Sequence, residues 1–502
     1  MLDAPRPVTG TASVEAVLTQ YGPSLSSFVA DRLVNDHGIS RAAARKRIQR
    51  AMPPVQRLAR IVFPHDDRFL FLREQRRSAV FKGRLEDAFH QSRSVYGIAL
   101  YALEARGGVI PTAHFHGVSG SPYRLRGHVG SETILSNLLS LGFVKKLPDP
   151  SAGEIVFLPD TRNPQQAMRA RLTAENILLD GIRELLRNIA LVSYDKMRIR
   201  TDLEQPDFGH FRWDITAPSY AHPFVSYDRG RPNPGFFVAD VQFAGECSEE
   251  HVQGFINKNR VLRALTHVRP FASMLVSERF SQNALHVCKK AGLLPATPRA
   301  LFGRDVAAGL RILLETLNHA AAVVAKNPEK IAEIFSKLAK SEGAAGNLRG
   351  ALFPLIVGHC VKKLEPGYLE LGVAIPNTDI DVLLTNKDVS GLAIECKGKL
   401  STSIDSESDI EHWLNHVIPH TRQWMRGHDG LRSARLRFEY WTTGRFAPEA
   451  LALLEKNRNE IKRFDIDWKD GEAVRRCVAG VKAQFLTDVL RDHFTKTPIA
   501  TF

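Results

Sequence analysis

The sequence predicts a mixed α/β protein, in which two copies of one α/β core stand in tandem behind mostly helical N-terminal units. Three observations support this fold class. The chain of 502 residues is too long for a single hydrophobic core. Long helices alternate with strands only from about residue 165 onward, and a strand–turn–helix pattern occurs twice in that part. We therefore expect four domains, at residues 1–90, 91–160, 165–310 and 311–502.

The composition is that of a folded, basic protein. Hydrophobic residues make up 44% of the chain and charged residues 24%, which is ordinary for a globular protein. The formal net charge of +14 favours a polyanionic partner such as DNA, although a basic protein without such a partner would carry the same charge. The five cysteines include no C-x-x-C pair, so neither a zinc site nor a disulfide framework is indicated.

The expected compartment is the cytoplasm, and no contact with a membrane is expected. The segment MLDAPRPVTG lacks the basic and apolar regions of a signal peptide. No stretch of 18 apolar residues occurs, so no membrane-spanning helix is predicted. Scattered, unpaired cysteines agree with a reducing compartment.

The first unit is predicted to contain two helices followed by a β-hairpin. The segment LSSFVADRLV has apolar residues at helical spacing and stops at His37-Gly38. Ser40 is the predicted N-cap of the second helix, RAAARKRIQRAM. The runs RLARIVF and RFLFLRE then flank residues 65–67 as two strands of a hairpin.

This order of helix, basic helix and hairpin resembles a winged helix-turn-helix domain. The resemblance implies DNA or RNA binding through the second helix, although its basic residues could also form a merely solvated face. Residues 92–158 repeat the pattern with fewer basic residues, so a second winged-helix-like unit is predicted there, in contact with DNA or with protein. The predicted DNA-binding residues of the basic helix are Arg41, Arg45, Lys46, Arg47 and Arg50.

An internal repeat in the second half consists of a strand, an Arg-Phe pair and a helix. It occurs around Arg279-Phe280 and again around Arg445-Phe446. We interpret it as one fold that occurs twice, although common strand–turn–helix units could also produce the pattern. Upstream of each copy lie two strands with acidic residues, which are Asp214 and Asp240 in the first copy and Asp381 and Glu395 in the second.

The second copy carries the groups that phosphodiester hydrolysis requires. Asp381 stands at the start of the strand IDVLL. In the next strand, GLAIECKGK, Glu395 and Lys397 lie two residues apart and face the same side. Two carboxylates on neighbouring strands can bind one Mg²⁺ ion, and a lysine can orient or help to ionise the attacking water. We therefore predict Asp381, Glu395 and Lys397 as catalytic residues.

An acidic residue in an apolar strand, followed by apolar-apolar-Glu-x-Lys, resembles the PD-(D/E)xK motif of restriction-endonuclease-like nucleases. The segment WTTGRFAPEALALLE is likewise similar to the strand–turn–helix that follows the core in modification-dependent restriction nucleases. The resemblance implies a restriction-endonuclease-like fold, with Asp381 and Glu395 as metal ligands and Lys397 as the catalytic lysine. It also implies Mg²⁺ or Mn²⁺ as the cofactor.

Two positions depart from the pattern of this family. Ile380 stands where the family usually has a proline, before the first acid of the motif. The helix LRGALFPLIVGHCVKKL has Pro354 near the place where the family often has a glutamate. Glu370 is predicted as the replacement metal ligand, with Glu342 as the alternative. Asp379 is predicted to be a turn residue rather than a further metal ligand.

The first copy has Gln242 in the position of the catalytic lysine. Because glutamine cannot supply a cation, this copy is predicted to be an inactive scaffold or a second DNA-contacting surface. A variant site built from Asp214, Asp240 and Gln242 is the alternative.

Two further segments have predicted roles. Residues 306–363, between the copies, are expected to be helical up to a glycine-rich break at 343–350. After the second core, the resemblance implies that Gln423 contacts a DNA phosphate. His412, His416 and His420 recur at four-residue spacing, but the proline at position 419 should interrupt that helix. We expect these histidines to pack rather than to bind a metal.

These features predict a Mg²⁺-dependent DNA endonuclease, which by the habit of the family would act in bacterial restriction or other anti-phage defence. Two alternatives stay open. One is a non-catalytic DNA-binding or regulatory protein on a nuclease scaffold, and the other is a recombination or repair nuclease that acts on branched or single-stranded DNA. DNA is the expected partner, and the sequence leaves a homodimer or a protein partner open.

Overall fold

The computed structural model describes residues 13–61, 63–123, 125–228, 230–339 and 344–495. Within these ranges the chain forms two small N-terminal units and two larger α/β cores. None of the helices in the described part of the chain combines the length and the apolar character needed to cross a membrane.

The first small unit is a three-helix arrangement with a small antiparallel sheet. The hydroxyl of Ser40 accepts a hydrogen bond of 3.2 Å from the backbone N–H of Ala43, so the predicted N-cap is confirmed. The predicted hairpin is shorter than expected, because RLARIVF forms a strand only as far as Arg57; Val62, in the same run, lies outside the described residues. The helices are Val14–Tyr21, Ser26–His37 and Arg41–Gln49, and the strands are Ser24–Leu25, Val55–Arg57 and Phe69–Leu72.

The second small unit has the same arrangement of strands as the first. In both sheets the strand that comes last in the chain lies in the middle and pairs antiparallel with the other two. The helices are Ala79–Gln91, Val95–Glu104, Phe115–Val118 and Ser131–Ser140, and the strands are Val109–Pro111, Lys145–Asp149 and Gly153–Phe157.

One buried strand joins the two small units. Side chains of a strand alternate between its two faces. In Phe69–Leu72, Leu70 and Leu72 pack into the hydrophobic core of the first unit, whereas Phe69 and Phe71 pack into that of the second. The two units therefore pack directly against each other.

The larger cores each contain a five-stranded sheet. We call residues 164–302 the first core and residues 344–495 the second core. The strands of the first core are β1 (Arg198–Ile199), β2 (Ile215–Ser219), β3 (Gly235–Cys247), β4 (Phe271–Phe280) and β5 (Leu294–Ala296). Those of the second core are β6 (Tyr368–Ile375), β7 (Thr378–Asn386), β8 (Ser390–Lys397), β9 (Arg435–Thr442) and β10 (Asp465–Lys469).

Both sheets have the same strand order and the same strand directions. The strands lie side by side in chain order, from β1 to β5 and from β6 to β10. In each sheet the first three strands are antiparallel, and the last two continue parallel to the third. The first half of each sheet therefore consists of hairpins, and the second half needs helical crossovers, which supply the helices around it.

Helices surround both sheets and fill the space between them. Three of them connect the cores, at Arg304–Asn318, Ala320–Lys326 and Lys330–Leu338. The first core contains Pro164–Asn188, Gln253–Arg263, Gln282–Lys290 and Pro298–Phe302. The second core contains Ala344–Leu364, Glu407–His412, Ile418–Gly427, Pro448–Glu460, Gly471–Gly480 and Gln484–Val489. Shorter two-stranded pairs are Asp207–Phe208 with Phe211–Arg212, Ser226–Asp228 with Arg231–Asn233, and Ile404–Asp405 with Arg445–Phe446.

Two local predictions in this region were wrong. The described part of the predicted glycine-rich break is helical, because Gly346 and Gly350 lie inside the helix Ala344–Leu364. Gly343 lies outside the described residues. Pro419 does not interrupt its helix either. The turn Trp413–Val417 has π-helical hydrogen bonding and continues directly into Ile418–Gly427.

A single hydrophobic layer connects the two cores. It contains Leu178 and Ile182 from the long helix of the first core, and Leu352 and Ile356 from the long helix of the second. Because both sheets also contribute to this layer, through residues such as Val382, the two cores pack as one continuous body.

Candidate active site

The structure brings Asp381 and Glu395 together on neighbouring strands, as predicted. The register of β7 and β8 ends with Val382 opposite Ile394, so Asp381 and Glu395 occupy the next opposing positions. The Oδ2 atom of Asp381 accepts a hydrogen bond of 2.7 Å from the backbone N–H of Cys396. This bond fixes the first carboxylate beside the strand that carries the second.

Lys397 completes the group at the end of β8. Its Nζ atom donates a hydrogen bond of 2.6 Å to Oε1 of Glu395, and its side chain is 37% exposed. Burial alone would lower the pKa of this lysine, but the neighbouring Glu395 carboxylate raises it above its usual value. Lys397 is therefore a permanently charged donor at the mouth of the site. Cys396, between the two, points into the buried hydrophobic layer.

The electrostatic environment of Asp381 favours a bound cation. Burial, and then the negative charges of Glu395 and Asp379, raise the pKa of Asp381 well above its usual value. In the described part of the chain no basic side chain forms an ion pair with Asp381, and Oδ2 is its only hydrogen-bonded oxygen. Asp381 thus has a free carboxylate oxygen and no ion-pair partner of its own, and Glu395 lies on the next strand. Such a pair suits a divalent ion, because Mg²⁺ and Mn²⁺ take oxygen ligands.

Glu370 is not brought to this pair. It lies on β6 opposite Leu383, two residues along the sheet from the position of Asp381. Within the described ranges no three His, Cys, Asp or Glu side chains are arranged to hold a metal ion. The described residues thus form no group of three that joins Glu370 to Asp381 and Glu395. Glu342 lies outside the described residues.

Asp379 is a strand residue and not the turn residue that we expected. It pairs with Ala374 within the β6–β7 ladder, and the turn lies at Pro376 and Asn377. Its Oδ2 atom lies 3.1 Å from a guanidinium nitrogen of Arg169, which belongs to the long helix of the first core. Asp379 therefore lies beside Asp381 while its charge is held by an arginine from the other core.

A cavity of about 190 Å³ lies between the two cores at this place. Arg169 and Thr173 line it from the first core, and Asp379, Asp381 and Pro354 line it from the second. Pro354 thus lines the cavity from the helix on which the family often has a glutamate. The candidate site is consequently bounded by residues of both cores.

The first core holds two acids in the same arrangement. The register of β2 and β3 ends with Ile215 opposite Ala239, which makes Asp214 and Asp240 the next opposing residues. The carboxylate of Asp214 accepts a hydrogen bond of 2.7 Å from the backbone N–H of Val241, just as Asp381 does from Cys396. Asp214 and Asp240 therefore correspond in position to Asp381 and Glu395.

In the first core, however, buried cations neutralise these acids. Arg200 lies 3.1 Å from Asp214 and 2.7 Å from Glu175, and Lys258 lies 2.6 Å from Asp240. All five side chains are buried. Although burial opposes ionisation, Arg200 and then Arg106 lower the pKa of Asp214, in contrast to the raised pKa of Asp381. Burial raises the pKa of Asp240, although Lys258 opposes this shift. We call this group the closed site.

A single register position explains much of the difference between the sites. Arg200 lies opposite Asp214, and its backbone N–H donates a hydrogen bond of 2.8 Å to the carbonyl of Asp214. The position opposite Asp381 is Gly372, between the pairs Leu371–Val382 and Val373–Ile380. A Cβ atom at Gly372 would meet no atom within 4 Å. The second core therefore has open space where the first core has an arginine.

The sequence reasoning did not find Glu175, Arg200 or Lys258. They stand on a helix, an edge strand and a second helix, without a motif that links them. The spacing of acids in the first core gave no sign of the cations that neutralise them. Only Glu175, inside a long apolar helix, could have been noticed as an unusual buried charge.

The basic helix of the first small unit is exposed, as predicted. All five of its predicted DNA-binding residues are exposed, and Arg41 forms an ion pair of 3.2 Å with Asp31. Beside the helix lies a groove of about 890 Å³, which Arg45, Arg57 and Arg68 help to line. This surface has the charge and the access that a polyanion requires.

The other predicted DNA-contacting residue, Gln423, lines a cavity beside the β6–β7 turn. Gln423 is exposed and lines a cavity of about 410 Å³ together with Asn377. The rings of His416 and His420 lie 4.5 Å apart at an interplanar angle of 51°, and His420 Nδ1 lies 2.7 Å from the His416 carbonyl. No described residues complete a metal site around these histidines.

Comparison with known proteins gives distant similarities only. The sequence matches no family model, and no curated protein matches it. Three solved structures of type II restriction endonucleases are similar in part. MspJI in complex with a 27-mer oligonucleotide is 13% identical, over 35% of this chain and 33% of that one, with a TM-score of 0.18. FokI is 11% identical over 92% and 84% of the two chains, with a TM-score of 0.20. FokI bound to DNA is 11% identical over 53% and 56%, with a TM-score of 0.15.

The chain thus spans about a third of the MspJI chain. TM-scores this low do not establish a common fold, so the functional argument depends on the geometry of this chain.

Proposed function

We propose that this protein is a metal-dependent DNA endonuclease whose second core hydrolyses phosphodiester bonds. The observation that supports this most strongly is the contrast between the two cores. Both hold two acids at matching strand positions, but in the described part of the second core Asp381 has no ion-pair partner, and the cation beside Glu395 is a partly exposed lysine of the same strand. Acids that serve only folding are expected to be neutralised by buried partners, as in the closed site.

Asp381 and Glu395 would hold the ion, which is Mg²⁺ or Mn²⁺. When bound, such an ion polarises the phosphoryl group and lowers the pKa of water. Lys397 would hold the attacking water and offset negative charge as it develops on the phosphate oxygens. Its hydrogen bond to Glu395 keeps the ammonium group at the end of β8, where it can reach a substrate.

The two small units would position the DNA. Their helices and three-stranded sheets resemble winged helix domains, in which the second helix of the helix-turn-helix pair enters the major groove. In the first unit this is the helix Arg41–Gln49. In the first unit that helix carries Arg41, Arg45, Lys46, Arg47 and Arg50, and all are exposed. Gln423 would contact a phosphate near the β6–β7 turn. We regard the two cores as tandem restriction-endonuclease-like domains, the first of which is inactive.

The biological setting that fits this activity is restriction or anti-phage defence in the cytoplasm, where a homodimer or a protein partner would allow both strands to be cut. A recombination or repair nuclease for branched or single-stranded DNA would use the same site. A non-catalytic DNA-binding protein is disfavoured, because nothing in the described fold requires a buried Asp381 without an ion-pair partner.

A cleavage assay tests the proposal. Purified protein is incubated with plasmid, single-stranded and four-way-junction DNA, with Mg²⁺, Mn²⁺ or EDTA. We expect cleavage that requires the metal and is lost in Asp381→Asn, Glu395→Gln and Lys397→Met. Lys397→Met should still bind DNA with unchanged affinity. Full cleavage by any of the three variants would exclude this active site, and the preferred substrate distinguishes restriction from repair.

A further inference from the structure

Asp379 and Arg169 form a contact between the cores that the proposed reaction does not yet use. Arg169 donates to Oδ2 of Asp379 at 3.1 Å and to Oδ2 of Asp149 at 3.2 Å. Asp149 ends a strand of the second small unit, and its carboxylate is fully buried. One guanidinium group thus connects the second small unit, the first core and the candidate active site.

Comparison with the closed site shows that the second core lacks a carboxylate on its long helix. In the first core a third acid, Glu175 on the long helix, lies 2.7 Å from Arg200, which also pairs with Asp214. Its Oε1 atom accepts a hydrogen bond of 3.2 Å from the backbone N–H of Phe243. The long helix of the second core presents Pro354 at the cavity instead. The second core therefore has no helix carboxylate at its site.

The position two residues before the first acid shows the opposite exchange. Two residues before Asp381 stands Asp379, whereas two residues before Asp214 stands Arg212. Arg212 forms an ion pair of 2.9 Å with Asp207. The first core thus has its third acid on the long helix and a cation two positions before Asp214, in the separate short strand Phe211–Arg212. The second core has no acid on its long helix and has an acid, Asp379, within β7. The number of carboxylates near the site is the same in both.

We propose that Asp379 is the third acidic residue of the metal site, and that Arg169 is a positioning residue which holds it away from the other two. This inference rests on the proposed function. In the structure Asp379 faces Arg169, which agrees with the finding that no three described side chains form a metal-binding set. Release of Asp379 from Arg169 would let its carboxylate turn towards the ion held by Asp381 and Glu395.

Arg169 can exchange its ion pair with Asp379 for another partner. Its Nε atom is buried and has no hydrogen-bond partner, so the arginine does not use all its donors in this arrangement. Nearly half of the Asp379 side chain is accessible, at 44% exposure. A guanidinium group binds phosphate oxygens as well as carboxylates, so a DNA phosphate at the cavity offers Arg169 an alternative partner.

Titration calorimetry of the full-length protein with Mn²⁺ alone, without DNA, tests this inference. We expect Asp379→Asn to weaken Mn²⁺ binding about tenfold or more, the size of effect typical for groups around a metal. Arg169→Met should strengthen binding, because Asp379 is then free. In the double variant the affinity should equal that of Asp379→Asn, since Arg169 acts only through Asp379.

Matched controls separate this effect from general charge. Asp388→Asn removes one negative charge from the exposed turn at the other end of β7, and Arg183→Met removes an arginine from the same helix as Arg169. Both should leave Mn²⁺ affinity unchanged. Unaltered affinity in Asp379→Asn, or an effect of Arg169→Met that persists beside Asp379→Asn, would overturn the inference.

The same experiment distinguishes failure of the inference from failure of the proposed function. If Asp381→Asn and Glu395→Gln weaken Mn²⁺ binding but Asp379→Asn does not, the metal site stands and only the third acid is excluded. If neither Asp381→Asn nor Glu395→Gln weakens binding, the proposed metal site itself is excluded, and the inference falls with it.

Discussion

The ammonium group of Lys258 donates a hydrogen bond of 2.6 Å to Asp240, and so supplies from a helix the cation that the second core carries on its strand as Lys397. The remaining donors of Lys258 go to the carbonyl oxygens of Gly117 and Arg212, at 3.1 and 2.7 Å. All three protons are thus used inside the protein. A lysine in this position stabilises folding but cannot act on a substrate.

The closed site should therefore matter for stability and not for cleavage. Lys258→Met leaves the buried Asp240 without its cation and should lower the free energy of unfolding by about 3–5 kcal/mol. Cleavage per folded molecule should stay at the wild-type level. Urea denaturation followed by specific-activity measurement checks both. The double variant Lys258→Met/Asp240→Leu, which removes both charges, should recover most of the stability.

Lys397→Met provides the opposite comparison. The ammonium group that it removes is partly exposed, and its partner Glu395 keeps access to solvent. This substitution should abolish cleavage while the urea midpoint changes little. Loss of cleavage by folded Lys258→Met would show that the closed site takes part in the reaction after all.

The basic helix should contribute to DNA affinity by binding phosphates. Charge reversal in Arg45→Glu/Arg47→Glu should weaken DNA binding and lower the slope of log affinity against log salt by about one for each phosphate that is no longer bound. Fluorescence anisotropy at several salt concentrations measures this slope. Lys289→Glu/Lys290→Glu changes the net charge equally on an exposed helix of the first core and is the control. Equal slopes in both double variants would leave Arg45 and Arg47 as solvated surface.

His114 should make the contact between the second small unit and the first core sensitive to acid. Burial, and then the charge of Arg200, lower its pKa from 6.5 to about 3, although Asp214 opposes this shift. Its Nε2 atom lies 2.8 Å from the Thr201 carbonyl, so the neutral ring must carry its proton there.

Because the unfolded chain binds this proton more readily, stability is complete above pH 6.5 and falls as the pH decreases towards about 3. The loss should approach about 1.4 kcal/mol per pH unit within that window. Urea denaturation at pH 7, 5.5 and 4.5 measures it. His114→Gln should flatten this dependence, and an unchanged slope in that variant would assign the acid sensitivity to other groups.

The sequence was most informative where structure depends on neighbouring residues. The N-cap at Ser40, the basic helix and the strands of Asp381 and Glu395 follow from local patterns and are present in the structure. Glu395 and Lys397 were predicted to share a face because strand residues alternate, a rule that needs no tertiary information.

The remaining features depend on contacts between distant parts of the chain. Asp214 is neutralised by Arg200 across the sheet, whereas Asp381 has Gly372 at the corresponding position. Asp240 is neutralised by Lys258 from a crossover helix, and Asp379 by Arg169 from the other core. None of these pairings has a signature in the linear order of residues. Asp379 was misjudged for a similar reason, since its pairing with Ala374 of β6 places it in the ladder and leaves only Pro376 and Asn377 in the turn.

The pKa of Asp381 leads to a prediction that links pH, metal and stability. Burial and the charges of Glu395 and Asp379 raise this pKa, so the metal-free folded protein binds the proton more tightly than the unfolded chain. Its contribution to stability is therefore largest at low pH and is lost as the pH rises through the folded-state pKa. A divalent ion should reverse this loss by compensating the ionised pair.

We expect Mn²⁺ to raise the melting temperature of the wild type more at pH 8 than at pH 5.5. Without metal, Asp381→Asn should melt at a higher temperature than the wild type, and Mn²⁺ should not raise its melting temperature further. Differential scanning fluorimetry of both proteins at the two pH values, with Mn²⁺ or EDTA, makes the comparison. Equal stabilisation of wild type and Asp381→Asn by Mn²⁺ would place the ion elsewhere in the protein.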